Sequence, residues 1–263
     1  MGVAPSKKPE KSFDRGEVVG WTRDSIRRNT KFLYTVDETQ LDGWGYALTL
    51  TVRDCPADHD KWRKMRESLF ARFRRLGMIR LHWVTEWQRR GVPHLHVAIW
   101  FPESKTINEL VGPWLDLAGH DFGTKARGQH VTPIHEAIGW FQYVSKHASR
   151  GLGHYQRSPE NVPQSWAKTG RIWGKLGSWG CQGEIRMELS DSAFFAFRRI
   201  VKGWRLARAR ASGDRYRILT AKRMLQSSDP VLGSLRGVNE WIEFDVQVQI
   251  VAWLRSQGYA ISH

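Results

Sequence analysis

A chain of 263 residues with 41% hydrophobic content is long enough to bury a core in one large domain or two small ones. No apolar run reaches the ~18 residues of a membrane span, the polar opening MGVAPSKKPEKSF lacks a signal-peptide core, and Cys55 and Cys181 give no disulfide framework. A cytoplasmic protein with no membrane partner is therefore expected. Lys plus Arg outnumber Asp plus Glu by 41 to 26, and 14 tryptophans accompany a net charge of +15. Cations with aromatic faces suit nucleic acid, unpaired bases above all.

Residues 1 to about 30 are polar, have little apolar periodicity and read as a tail. YALTLTV (46–52) alternates like a strand. From Pro56 to Leu76 the apolar positions Trp62, Met65, Leu69 and Phe73 recur every three or four residues, a helix closed by Gly77. LHWVTEW (81–87) and VAIWF (97–101) are strands of a hairpin whose polar loop contains Gly91. Thr106 and Glu109 form a capping box, and Pro113 predicts a kink or an early end of the helix that follows. HVTP (130–133) suits an edge strand, with Pro133 leading into a helix through Ala148. Residues 151–183, rich in Gly, Ser and Trp, read as loop with short strands. Ser190 or Asp191 caps a helix to about Arg210, with Phe194, Phe197, Val201 and Trp204 on one face and Arg198, Lys202 and Arg205 on another. Between Trp241 and Leu254 both readings stand: FDVQVQI alternates like a strand, while segment length and Gly258 favour a helix. The chain thus divides into a polar tail (1–30), a mixed α+β domain (31–185) and a basic, mainly helical region (186–263).

GVPHLHVAIW (91–100) carries the first chemical signal. Residues i and i+2 of a strand share a face, so His94 and His96 project side by side with Leu95 behind them. Two imidazoles on one strand are half of a metal site. Glu86, on the facing strand of the hairpin, is placed to complete it; His82 and Glu103 are less well placed. The donor set suits zinc or non-haem iron as well as manganese or magnesium. The plain alternative is a pair of polar residues facing solvent.

FQYVSKHASR (141–150) carries the second. On a helix Ala137, Phe141, Val144 and Ala148 form a core stripe, leaving Tyr143, Lys146 and His147 off it. Tyr143 and Lys146, three apart, are neighbours. A tyrosine beside a lysine can act as a nucleophile, because positive charge favours the phenolate.

Together these segments resemble a family. GVPHLHVAIW looks like the His–hydrophobic–His motif of HUH endonucleases, and Tyr143 to Lys146 resembles the Y-x-x-K motif of single-tyrosine rolling-circle replication initiators. ALTLT (47–51) resembles the family's first motif, and RIWGKLGSWG (171–180) resembles an Arg-x-Trp-Gly element of phage-type members. The resemblance spans roughly residues 44 to 180. It implies an antiparallel sheet of about five strands with packed helices, ferredoxin-like or RRM-like. It further implies Mn²⁺ or Mg²⁺ on His94, His96 and Glu86, and attack by Tyr143 on single-stranded origin DNA presented in a hairpin. The products would be a 5′-phosphotyrosine and a free 3′-hydroxyl, with strands rejoined afterwards, and Lys146 would orient or neutralise the reacting groups. Where some phage members carry a second tyrosine this chain has His147, so one catalytic tyrosine is expected. No P-loop motif is present, so helicase and polymerase would be separate host proteins in a bacterial cytoplasm. DNA contacts are expected from Thr49, Arg89, Arg90 and Arg150, and from the Arg198, Lys202 and Arg205 face.

Other readings stay open. A single-tyrosine transposase or a plasmid relaxase uses similar parts, although relaxases usually carry their tyrosine near the N-terminus. A non-catalytic DNA-binding replication regulator would bind without cutting. A metal-dependent hydrolase or oxygenase could use the same ligands, against which the charge and Tyr143 argue.

Overall fold

A computed structural model describes residues 18–148, 150–183, 187–223 and 244–262. Two compact units divide the chain, residues 1–182 and 183–263.

The first unit is built on a five-stranded antiparallel sheet in the order β4-β1-β3-β2-β5. Its strands are β1 (Trp44–Thr51), β2 (Arg80–Trp87), β3 (Pro93–Phe101), β4 (His130–Ile134) and β5 (Trp173–Gly177). The fold class is thus the expected α+β one. The hairpin of β2 and β3 turns through residues 88–92, with Gln88 and Gly91 closing it by backbone hydrogen bonds and Gly91 at φ 70°. β4 is an edge strand, the place where Pro133 costs no ladder hydrogen bond. β5, the other edge, ends at Gly177, where φ is 78° and a Cβ would lie 2.1 Å from the Ile79 carbonyl oxygen.

Both faces of the sheet are covered. On one, Leu48, Leu50, Leu81, Trp83, Leu95, Val97 and Ile99 pack with α2 (His59–Arg75) and α3 (Ile107–Phe122). The predicted α2 stripe of Trp62, Met65, Leu69 and Phe73 is buried throughout. α3 starts at its capping box and runs on through Pro113 to Phe122 rather than ending early, because Leu110, Val111, Trp114, Ala118 and Phe122 are all buried on both sides of the lost hydrogen bond. On the other face Ala98 and Trp100 pack with α1 (Arg23–Thr35) and α4 (Glu136–Ala148).

Two expectations are corrected here. The tail reading fails over residues 23–30: Thr22 caps α1, whose Asn29, Thr30, Phe32 and Leu33 are buried. Residues 18–22 are held as well, with the Trp21 indole donating to the Thr85 carbonyl and the Gly20 amide to Thr169. Residues 1–17 of that reading lie outside the described residues. On α4, two positions read as lying off the core stripe are buried as well, beside the predicted Val144. Trp140, Tyr143, Val144 and His147 are its buried positions, while the side chains of Ala137 and Phe141 lie outside the described residues. Tyr143 and His147 therefore face inward.

The second unit contains α5 (Asp191–Ala211), α6 (Arg215–Arg223), α7 (Phe244–Ser256) and the short pair β6 (Glu188–Leu189) and β7 (Ile261–Ser262). FDVQVQI joins a helix: Val246, Ile250 and Leu254, four apart, pack with Ala196 and Val201 of α5. Among the described residues no helix is long and apolar enough to cross a membrane.

Candidate metal and nucleophile site

Strand pairing assembles the first three groups. Glu86 on β2 lies directly opposite His94 on β3, and Val84 opposite His96, so alternation puts Glu86, His94 and His96 on the face beneath α1 and α4. Their ligand atoms lie within 4.8 Å of one another, and all three side chains are buried. His96 Nε2 is 3.2 Å from Glu86 Oε2 but makes no hydrogen bond. Thr49 Oγ1 meets His96 Nδ1 at 2.9 Å and fixes the ring. Gln156 meets His94 Nε2 at 3.0 Å. One carboxylate and two ring nitrogens, one of them the unpartnered buried Nε2 of His96, fit a divalent cation.

Glu86 is more heavily partnered than sequence suggested. The fully buried Arg157 donates to its Oε1 at 3.0 Å, Arg150 donates to its Oε2, and His147 Nδ1 stands 3.9 Å away. Arg157 is itself anchored on the carbonyls of Arg150 and His147 and lies over the Trp21 ring. Burial works to raise the Glu86 carboxyl, but the His147 and His96 rings and the guanidiniums outweigh it and hold the carboxyl well below the ordinary range. Burial pushes His94, His96 and His147 down to about 3, so all three rings are neutral, the state that can ligate a metal.

Tyr143 comes from α4. It is 5% exposed, and its hydroxyl meets His82 Nδ1 at 2.9 Å. Its ring stacks on Trp140 and lies 4.5 Å from that of His147, which is 4.8 Å from that of His96. Burial and the Glu86 charge hold the phenol well above its ordinary value. The expected phenolate beside Lys146 is thus corrected: the hydroxyl is protonated and engaged with His82. Lys146 is exposed overall, but the walls of the site shield part of its side chain, and this partial desolvation, followed by the Arg150 charge, lowers its ammonium. A cavity of about 170 Å³ brings Thr49, His96, His130, Tyr143, Lys146 and His147 to one space.

Several expected DNA contacts are engaged elsewhere. Thr49 positions His96 and Arg150 holds Glu86. Arg90 turns its guanidinium onto the Val52 and Arg53 carbonyls at the end of β1. Arg89 is exposed and lies over the Tyr155 ring at 4.9 Å. In the second unit Arg198 is 5% exposed against Phe194 and Phe195, because the helix turns that position inward, while Lys202 and Arg205 are half-buried. The tryptophans that flank the site strands, Trp83, Trp87 and Trp100, are all buried in the core. Of the competing third ligands, Glu103 is exposed beyond the far end of β3 and His82 is bonded to Tyr143. Sequence reasoning missed Asn29, Gln156 and Arg157. For His82 the signal was present, since it shares the two-residue alternation of β2 with Glu86.

Comparison with known proteins places this architecture. Residues 45–151 match the model of the replication-associated protein ORF2/G2P family. The chain is 49% identical over 271 residues to a protein named for replication in Xylella fastidiosa (strain 9a5c), covering 99% of this chain and 95% of that one. Against a second such protein, from strain Temecula1, identity is 51% over 250 residues, covering 91% of this chain and 94% of that one. Replication-associated protein G2P of Pseudomonas phage Pf3 is 49% identical over 250 residues, covering 94% of this chain and 89% of that one. No solved structure matches the chain. With relatives this similar aligned over nearly its whole length, the chain belongs to the replication-associated protein ORF2/G2P family.

Proposed function

We propose that this chain initiates rolling-circle replication as an HUH-type nickase, cutting single-stranded origin DNA through Tyr143 and rejoining the strand after a round of synthesis. One observation carries the reading: the buried cluster of Glu86, His94 and His96 shares its cavity wall, through His96, with Tyr143 and Lys146. The names of the relatives support replication as the setting.

The Tyr143 oxygen attacks the scissile phosphorus, the bond from phosphorus to the 3′-oxygen breaks, and a 5′-phosphotyrosine and a free 3′-hydroxyl result. The ester is conserved, so the 3′-hydroxyl can reverse the step and seal the strand. Lys146, exposed at the cavity, holds the phosphate. Glu86, His94 and His96 would hold Mn²⁺ or Mg²⁺, which when bound polarises the phosphodiester and offsets charge on its oxygens. Arg157 keeps the Glu86 carboxylate ionised and aimed. The DNA partner is an unpaired origin segment presented by a hairpin. Strand separation and synthesis fall to separate host helicase and polymerase in the bacterial cytoplasm.

The test is a denaturing gel of the protein with end-labelled single-stranded origin DNA and Mn²⁺. A covalent adduct is expected, lost with EDTA and in Tyr143→Phe. Tight binding with no adduct would replace this reading with that of a non-catalytic regulator. An adduct persisting in Tyr143→Phe would move the nucleophile elsewhere.

A further inference from the structure

We infer that His82, oriented by Asn29, is the group that accepts the Tyr143 phenol proton, an inference that rests on the nickase reading above. The observation is a hydrogen-bonded chain through three elements. Tyr143 on α4 meets His82 Nδ1 at 2.9 Å, and His82 Nε2, from β2, meets the Asn29 side-chain oxygen on α1 at 2.8 Å. His82 and Asn29 are both 0% exposed.

A neutral imidazole carries a single ring proton. The Asn29 carbonyl oxygen can only accept, so that proton sits on Nε2. Nδ1 then presents its lone pair, and the phenol donates to it. A carbonyl that fixes the tautomer while the opposite nitrogen faces a hydroxyl is the arrangement of a nucleophile, its base and an orienting group. Of the other imidazoles, His147 also touches the Tyr143 ring, but its Nδ1 faces Glu86 at 3.9 Å.

Burial lowers the His82 ring to about 3 and raises Tyr143, so the resting pair is neutral on both sides. The proton therefore moves as the oxygen–phosphorus bond forms and the phenol oxygen becomes acidic, not before. A phosphodiester in the cavity that Tyr143 lines brings the negative charge that offsets the new imidazolium. The balance is complete. The bond from the tyrosine oxygen to phosphorus forms, the bond from phosphorus to the 3′-oxygen breaks, and the phenol proton passes to His82 Nδ1. The departing 3′-oxygen takes a proton from water. In joining, the 3′-hydroxyl gives its proton to water and attacks phosphorus, the bond from phosphorus to the tyrosine oxygen breaks, and His82 returns its proton to that oxygen.

The experiment compares single-turnover adduct formation by full-length wild type and His82→Gln, each with tyrosine or a ring-fluorinated tyrosine at position 143. A fluorinated phenol is more acidic and depends less on a base. His82→Gln is expected to slow adduct formation by about 10²–10³-fold with origin binding within about twofold, and the fluorinated residue to recover most of that loss. Asn29→Leu, which frees the ring to take the other tautomer, is expected to give a smaller loss of the same kind. Adduct formation by His82→Gln within about threefold of wild type would overturn the assignment. So would a loss that fluorination leaves unchanged, because packing alone does not respond to the acidity of the nucleophile. Absence of any Tyr143 adduct in wild type would instead overturn the nickase reading itself.

Discussion

The two faces of the sheet are both covered by helices, yet they differ in chemistry around the site. Leu95 and Glu86 are each 0% exposed, yet one meets Leu, Val and Trp side chains under α2 and α3, and the other meets two guanidiniums and two imidazoles under α1 and α4. The apolar face is held by area, a non-directional force that tolerates exchange of one hydrocarbon for another. The polar face is held by partners: a buried carboxylate or imidazole is tolerable only while its hydrogen-bond and charge partners are present. Around Glu86, His94 and His96 fold and chemistry thus fall on opposite sides of the same strands, while farther along the polar face Ala98 and Trp100 pack apolar against α1 and α4.

Acid gives the largest expected effect and acts on one face only. His82, His94, His96 and His147 are lowered to about 3, so they stay neutral in the folded protein while the unfolded chain protonates near the ordinary 6.5. Below that value the unfolded state binds more protons, and stability falls with pH. It is complete above about pH 6.5 and is lost toward about 3, with a slope of up to about 1.4 kcal/mol per pH unit for each ring. Glu86, lowered by its partners, adds to the same loss at the acid end. Melting of the metal-free protein across this range should show a steep decline. A flat profile from pH 7 to 5 would mean that the rings are not buried as neutral groups.

Next come paired substitutions, one on each face. Glu86→Ala leaves Arg157 buried without its carboxylate, and breaking such a pair costs about 3–5 kcal/mol. Mn²⁺ binding should vanish with it. Leu95→Ala should cost a comparable 2–5 kcal/mol through its cavity but leave Mn²⁺ affinity within about twofold. Urea denaturation and titration calorimetry read the two outcomes. Loss of metal affinity in Leu95→Ala would show that the faces are mechanically coupled and the contrast between them is false.

A smaller effect separates roles within the polar face. Arg150 places a positive charge on the Glu86 oxygen nearest His96, where a cation would compete with it. Arg150→Met should tighten Mn²⁺ binding about tenfold, about 1.4 kcal/mol, readable by manganese electron paramagnetic resonance. Weaker binding would show that Arg150 supports the site rather than occupying part of it.

The apolar face was the legible one. Alternation in YALTLTV and the spacing of Trp62, Met65, Leu69 and Phe73 set strand and helix directly, because one residue type recurs at one period, and the short runs LHWVTEW and VAIWF on either side of a polar loop mark the hairpin. On the polar face, Glu86 opposite His94 followed from hairpin geometry, which is local. What was lost depends on distant partners. Arg157 reaches Glu86 across 71 positions and His82 reaches Asn29 across 53, separations that leave no periodic trace. α1 looked like a tail because the residue it supplies to the site is polar. The burial of Tyr143 and His147 on α4 left no signal, because both are polar and are held by His82 and by the Glu86 cluster rather than by an apolar stripe.

The smallest effect divides two adjacent arginines in the hairpin loop. Arg90 spends its guanidinium on the Val52 and Arg53 carbonyls, so it ties the loop to the end of β1, the strand that carries Thr49. Arg89 stands exposed over Tyr155, which is itself 43% exposed, and a cation on an aromatic ring near the loop tip offers a phosphate contact beside a stacking surface. Arg89→Ala should weaken single-stranded DNA binding about three- to fivefold, less than 1 kcal/mol, and lower the salt slope by about 0.7, the share of one phosphate on a single strand. Arg90→Ala should leave that slope unchanged and lower thermal stability instead. Binding titrations at several salt concentrations separate them. If the slope drops with Arg90→Ala and not with Arg89→Ala, the loop opens on DNA and exchanges its carbonyl partners for phosphate, which would extend the DNA path from the loop tip to the end of β1.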